Sequence, residues 1–193
     1  MSPVNFNSGN NLTDRALIEA ILRGDTGAFN IIIRNTEGLV AQVVVRMVSN
    51  PEDRKDLVQD IYLKTFHNLS GFRFQSKLLT WIGNIAYNTC ANYLEKRKLV
   101  LTGTIGEENV YDESMEIESV ISRKELSSIL TGSIEKLPAL YKTLISLYHQ
   151  EECSYADLAQ ITGLPEGTVK NYLFRARRTL KENILNSYKK EEL

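Results

Sequence analysis

Apolar positions along this chain recur every three or four residues, and the helical period holds from one end to the other. Leu17, Ile18, Ile21 and Leu22 predict a first helix, capped near Thr13 and closed by Gly24, after a polar lead over residues 1–11. Phe29, Ile32 and Ile33 mark a second run, and Leu39, Val43, Val44 and Met47 a third, broken by Asn50-Pro51. From Glu52 to Asn68 the stripe is Leu57, Val58, Ile61, Tyr62 and Thr65, continuing to Leu69. A longer helix from Leu78 buries Leu78, Ile82, Ile85, Ala86, Thr89, Cys90 and Tyr93 and ends in Lys96-Arg97-Lys98, where cations suit the macrodipole. Further on, Leu126, Ile129, Leu130, Ile134 and Leu137 predict one helix, and Leu140, Leu144, Ile145, Leu147 and Tyr148 another. The expectation is an all-α fold of two small helical domains, residues 1–98 and 122–193.

Between them, residues 99–121 break the pattern. Glu107, Glu108, Asp112, Glu113, Glu116 and Glu118 stand among Gly and Asn, and no cation occurs before Arg123. This composition predicts a flexible acidic linker.

Two polar faces carry chemistry. On the helix ending at Asn68, Leu63 is set among Asp56, Gln59, Asp60 and His67, an apolar anchor with a polar rim, the composition of a docking patch. The loop Phe72-Arg73-Phe74-Gln75-Ser76-Lys77 then leads into a helix whose far side carries Trp81, Asn84 and Asn88, three and four residues apart. Aromatic rings can stack on unpaired bases, amides can read base edges, and Lys96, Arg97 and Lys98 can follow phosphates, a pattern that suits single-stranded nucleic acid.

The C-terminal stretch SYADLAQITGLPEGTVKNYLFRARRTLKENI is a helix-turn-helix: a short helix over Tyr155–Gln160, a turn at Ile161-Thr162-Gly163, and a second helix from Glu166 to Leu180 begun by Pro165. Val169, Leu173, Ala176 and Leu180 face inward, leaving Glu166, Thr168, Lys170, Asn171, Phe174, Arg175 and Arg178 for DNA. The N-terminal part of such a helix enters the major groove, so Glu166, Lys170 and Asn171 are assigned to base edges and Thr168, Arg175 and Arg178 to phosphates.

Composition narrows the classes. The 193-residue chain has a formal net charge of −1 and 42% hydrophobic residues, enough for packed cores but too little positive charge to grip duplex DNA unaided. Cys90 and Cys153 both fall in apolar helical contexts, which favours free thiols in a reducing cytoplasm. His149 and Cys153 are one turn apart with no further ligand cluster, so neither a metal nor another cofactor is expected. No phosphate-cradling glycine loop or nucleophile–base pair points to an enzyme.

The segment from Asp56 to Lys98, with DLVQDIYLKTF and FRFQSKLLTWIGNIAYNTCANYL, resembles the second conserved region of extracytoplasmic-function (ECF) sigma factors, and GTVKNYLFRARRTL resembles their fourth region. The resemblance implies a non-enzymatic bacterial initiation factor that docks on core RNA polymerase and recognises promoter DNA. In that family the Leu63 helix binds the clamp helices of the largest polymerase subunit. The loop from Phe72 to Lys77 captures a flipped base of the −10 element, Asn84 and Asn88 line the melted strand, and the helix-turn-helix holds the −35 element. The linker would follow the path later taken by nascent RNA. The chain departs from the family pattern at Phe74, Gln75, Leu78 and Asn84. An anti-sigma partner, in this family often membrane-anchored, is also implied. The competing expectation from the residues alone is a stand-alone helix-turn-helix regulator that binds duplex DNA without polymerase.

Overall fold

A computed structural model describes residues 10–101 and 123–191. Among them, eight α-helices and one 3-10 turn account for the regular structure, with no strand. The acidic stretch singled out as a linker lies outside the described residues, except that its first three positions prolong a helix.

The N-terminal half comprises α1 (Asn10–Leu22), α2 (Thr26–Met47), α3 (Pro51–Asn68) and α4 (Leu78–Leu101), with the 3-10 turn Leu69–Gly71 after α3. Asp25 caps α2, its carboxylate accepting from the backbone amides of Gly27 and Ala28, a device worth about 1 kcal/mol. Asn50 caps α3 in the same way, and Pro51 sits where a missing amide costs nothing. The two apolar runs expected on either side of Arg34 are one continuous helix, α2, which runs through Gly38 because Ala28, Ile32, Leu39, Val40, Val43, Val44 and Met47 form one buried stripe. α1 starts before Thr13, and Leu22 is exposed because the stripe is filled by Ile18 and Ile21. α4 runs past the basic triplet to Leu101.

The C-terminal half comprises α5 (Arg123–Glu135), α6 (Ala139–His149), α7 (Tyr155–Thr162) and α8 (Glu166–Glu191). Here Leu130 is exposed, Ile134 and Leu137 filling the α5 side of the core. α7 carries a reciprocal capping box, Ser154 with Asp157, and ends at Gly163 in the left-handed region (φ +72°). Ile161 and Thr162 therefore belong to the helix, with the turn beginning at Gly163. Pro165 stands just outside α8, its carbonyl accepting from the amides of Thr168 and Val169. α8 continues well beyond Leu180.

The two halves share one continuous apolar core. α2 packs on α1, α3 and α4 and also on α6, while α4 packs on α7. Buried Leu39, Val43 and Ile82 from the first half join the same cluster as Leu144, Leu147, Leu158 and Ile161 from the second.

Candidate nucleic-acid interface

Three surfaces bear the residues singled out by sequence. On α3, Leu63 is 58% exposed, with Asp56, Gln59 and His67 also exposed and Asp60 half-buried in a 2.7 Å ion pair with Lys64. The structure adds Phe66, exposed one turn along and stacked edge-on against Phe29 at 5.1 Å and His67 at 6.1 Å. An apolar residue three positions after Leu63 was the sequence signal for it.

On the loop before α4, Phe72 is only 8% exposed, its ring 4.9 Å from that of Phe74 and 5.1 Å from that of Trp81. It underpins the aromatic strip and offers no open face. Phe74 adopts a left-handed backbone (φ +57°) with the Arg15 guanidinium 4.9 Å over its ring, leaving Arg73, Gln75 and Lys77 exposed along the loop. Trp81 and Asn84 are half-buried and Asn88 exposed, its amide donating to the Asn84 side-chain oxygen at 3.0 Å. Arg97 donates to the Tyr93 hydroxyl at 2.8 Å and lies 3.5 Å from Asp53, which ties it to α3. Lys96 is exposed, and the Lys98 side chain lies outside the described residues.

The strip from Gln75 to Asn84 is not open to solvent along its length, because α7 lies against it. The Asn84 amide donates to the backbone oxygens of Gln160 at 2.9 Å and Ile161 at 3.0 Å, two of the carbonyls a helix leaves without partners at its C-terminal end. Beside it, Thr80, 2% exposed, donates to Asp157 at 3.0 Å, and Lys77 reaches the same carboxylate at 3.1 Å. Partial burial works against the Asp157 charge, but the hydrogen bonds from Ser154, Lys77 and Thr80 outweigh it and hold the carboxyl below its ordinary range. A cleft lined by Gln75, Ser76, Thr80, Trp81, Asn84 and Gln160 marks the edge of this contact. On the far side of the junction, Arg46 donates to Ser146 at 2.9 Å and pairs with Glu135, which also takes a 3.1 Å bond from Lys142. Sequence reasoning passed over Thr80, Arg46 and Asp157, because each pairs with a partner far along the chain.

On α8, Val169, Leu173 and Ala176 are fully buried, with Leu180 partly so. Glu166, Lys170, Asn171, Phe174 (68%), Arg175 and Arg178 are exposed and Thr168 is half-buried. Lys170 pairs with Glu166 at 2.7 Å and Arg178 with Glu182 at 3.1 Å, both across one helical turn. Tyr148 and Tyr155 stack 5.2 Å apart, with Arg177 over the first and Lys170 over the second. Cys90 and Cys153 are free and buried, and burial pushes both thiols up to about 12. Among the described residues there is no cluster of three or more metal-ligating side chains, and no helix is long and apolar enough to cross a membrane.

Comparison with known proteins gives this arrangement its context. Residues 32–100 match Sigma-70 region 2, and residues 128–180 match Sigma-70, region 4. The chain is 35% identical over 182 residues to the ECF RNA polymerase sigma-E factor of Haemophilus influenzae, covering 90% of this chain and 96% of that protein. It is 32% identical to the sigma-E factor of Escherichia coli strain K12, covering 90% and 95%. Among solved structures it is similar to the sigma factor RpoE in complex with the anti-sigma factor NepR from Bartonella quintana, with a TM-score of 0.64 and 23% identity over 81% of this chain and 96% of that one. It is also similar to CnrH in complex with the cytosolic domain of CnrY, with a TM-score of 0.62 and 21% identity over 90% and 97%. The chain belongs to the ECF sigma factors, the promoter-specificity subunits that bind core RNA polymerase and start transcription.

Proposed function

We propose that the chain works as a cytoplasmic, non-enzymatic initiation factor whose three surfaces divide the labour of promoter opening. Residues 1–98 form the unit that docks and melts, residues 99–121 the tether, and residues 122–193 the unit that grips the upstream element. The observation that carries this reading is the segregation of exposed groups: an apolar anchor on α3, an aromatic and amide strip on α4, and a basic face on α8. Leu63, with Asp56, Gln59, Asp60 and His67 around it, meets polymerase through an apolar contact ringed by polar groups. Arg73, Phe74, Gln75, Lys77, Trp81, Asn84 and Asn88 receive the −10 strand, supported from below by Phe72, with Lys96, Arg97 and Lys98 on its phosphates. Glu166, Lys170 and Asn171 read −35 base edges, while Thr168, Phe174, Arg175 and Arg178 position the helix on the backbone.

The near-neutral charge of the chain suits this division. Neither DNA-facing unit has to bind alone when polymerase holds both, because the second contact is then made at a high effective concentration. Of the two solved structures named above, RpoE is in complex with the anti-sigma factor NepR, and CnrH is in complex with the cytosolic domain of CnrY. A sequestering partner of that kind is part of the proposal.

Run-off transcription tests it: purified core polymerase and fragmented host DNA, with and without the chain. Discrete transcripts that require the chain are expected. A footprint on duplex DNA by the chain alone, with no transcripts, would overturn the proposal in favour of a stand-alone regulator.

A further inference from the structure

We propose that α1 holds the strand-receiving loop in shape: Arg15 and its neighbour Asp14 are positioning residues that fix residues 72–77 before any DNA arrives. The inference deepens the proposed function and rests on its assignment of that loop.

The loop needs holding. Phe74 sits at φ +57°, a left-handed backbone that a residue with a β-carbon adopts only against a steric penalty. Residues 72–77 contain neither glycine nor proline to set the bend. What opposes the penalty is gathered around the Phe74 ring. The Phe72 ring lies 4.9 Å from it, tilted, and the Arg15 guanidinium lies over it, also at 4.9 Å. A guanidinium over an aromatic face is attracted by the negative side of the ring's quadrupole. Phe72 is buried and its ring is 5.1 Å from that of Trp81, so a shift at Phe74 passes into the aromatic strip through a single intervening side chain.

Asp14 secures the other end of the loop. It is 8% exposed, and among the described residues it is the only charged side chain that is buried. Burial raises its pKa, and the backbone amide of Leu78, the first residue of α4, draws it back down by favouring the charged form. A carboxylate at that point also suits the positive end of the α4 dipole. Two consecutive residues of one helix therefore meet the loop at Phe74 and at its junction with α4. A loop held in its receiving shape has less order to acquire when the strand enters.

Trp81 is the single tryptophan of the chain, so its fluorescence reports on the strip without a label. In the full chain, Arg15→Ala should raise the quenching of Trp81 by acrylamide at unchanged helicity. With core polymerase it should lower run-off transcription about threefold, the scale of one exposed cation–aromatic contact. Arg15→Lys keeps a cation over the ring and should restore both readings. In a Phe74→Gly chain the left-handed backbone carries no strain and there is no ring to cover, so adding Arg15→Ala should change neither reading. Asp14→Asn keeps an oxygen beside the Leu78 amide and should behave as the parent, whereas Asp14→Ala should raise quenching; if that variant does not fold, the Arg15 series decides. Unchanged quenching in Arg15→Ala overturns the proposal. So does an equal loss of transcription in the Phe74→Gly background, because Arg15 would then be acting on DNA directly. Absence of transcripts from the parent sinks the functional reading instead, while quenching still decides whether α1 holds the loop.

Discussion

A β-carbon placed on Gly83 would stand 2.9 Å from Cγ1 of Ile161 and 3.0 Å from Cδ2 of Leu39. The first contact crosses between the halves, and the second stays within the N-terminal one. Glycine inside a helix ordinarily costs about 1 kcal/mol relative to alanine, so its presence mid-α4 reflects this approach of backbone to side chain. Gly83→Val should lower stability by roughly 1–3 kcal/mol, an overpacking penalty. Gly83→Ala should cost less, because the better helix former offsets part of the clash. Thermal unfolding followed by circular dichroism ranks the three, and a valine variant as stable as the parent would show that the halves do not meet here.

Leu63 tests the docking surface. It is exposed and sits in no core, so Leu63→Asp should change stability by no more than about 0.5 kcal/mol. The same change places a third carboxylate beside Asp56 and Asp60 and removes the apolar anchor, which should abolish binding to core polymerase in a pull-down. Loss of binding together with loss of helicity would instead mark Leu63 as structural.

Arg175 and Arg178 should differ although both are exposed on α8. Arg178 already shares its charge with Glu182 at 3.1 Å, whereas among the described residues Arg175 has no ion pair. Arg175→Ala should therefore weaken binding of polymerase holoenzyme to promoter at all sequences and lower the salt slope by about 1. Arg178→Ala should have the smaller effect. Titrations at several salt concentrations compare the two, and equal slopes would mean that Glu182 releases Arg178 on binding DNA.

Local signals were legible in the sequence, and long-range ones were not. The helical period located α1 to α8, and the turn at Gly163 with its flanking small and apolar residues defined the helix-turn-helix before any coordinates. Assignment of Val169, Leu173 and Ala176 to the inside of α8 needed only their spacing. The errors have physical causes. Two apolar runs of α2 looked separate because the polar stretch Arg34-Asn35-Thr36-Glu37-Gly38 lies between them, and packing on four neighbouring helices carries the helix through it. Phe72 looked like a presented aromatic, yet its ring fills the gap under Trp81. The contact of α7 with α4 had no local signature: Asn84, Thr80 and Asp157 are ordinary polar residues until their partners, more than seventy positions away, are brought to them.

Glu151 gives the closure of the two halves on one another, α6 and α7 against α2 and α4, a sign with pH. Its carboxylate lies over the α2 backbone, so close that a β-carbon on Gly38 would be 3.4 Å from it, and burial raises its pKa above the ordinary 4.5. A group whose pKa is higher in the closed state binds its proton more tightly there. Its contribution to closure is fully present below the ordinary value and lost as pH rises through the raised one. Mild acid should thus favour closure through Glu151. Asp157, held below its ordinary 3.8 in the closed state, acts in the opposite direction, and only at lower pH. His149, whose pKa burial lowers, and Asp14, whose pKa burial raises, each sit on one half and should contribute equally to parent and variant. The comparison to make is therefore parent against Glu151→Gln, by energy transfer between the halves from neutral pH down to about 5. The variant should be more closed than the parent at neutral pH, since it buries no charge, and should lose the parent's gain on acidification. Parallel curves for the two proteins would show that Glu151 keeps the same surroundings whether the halves are together or apart.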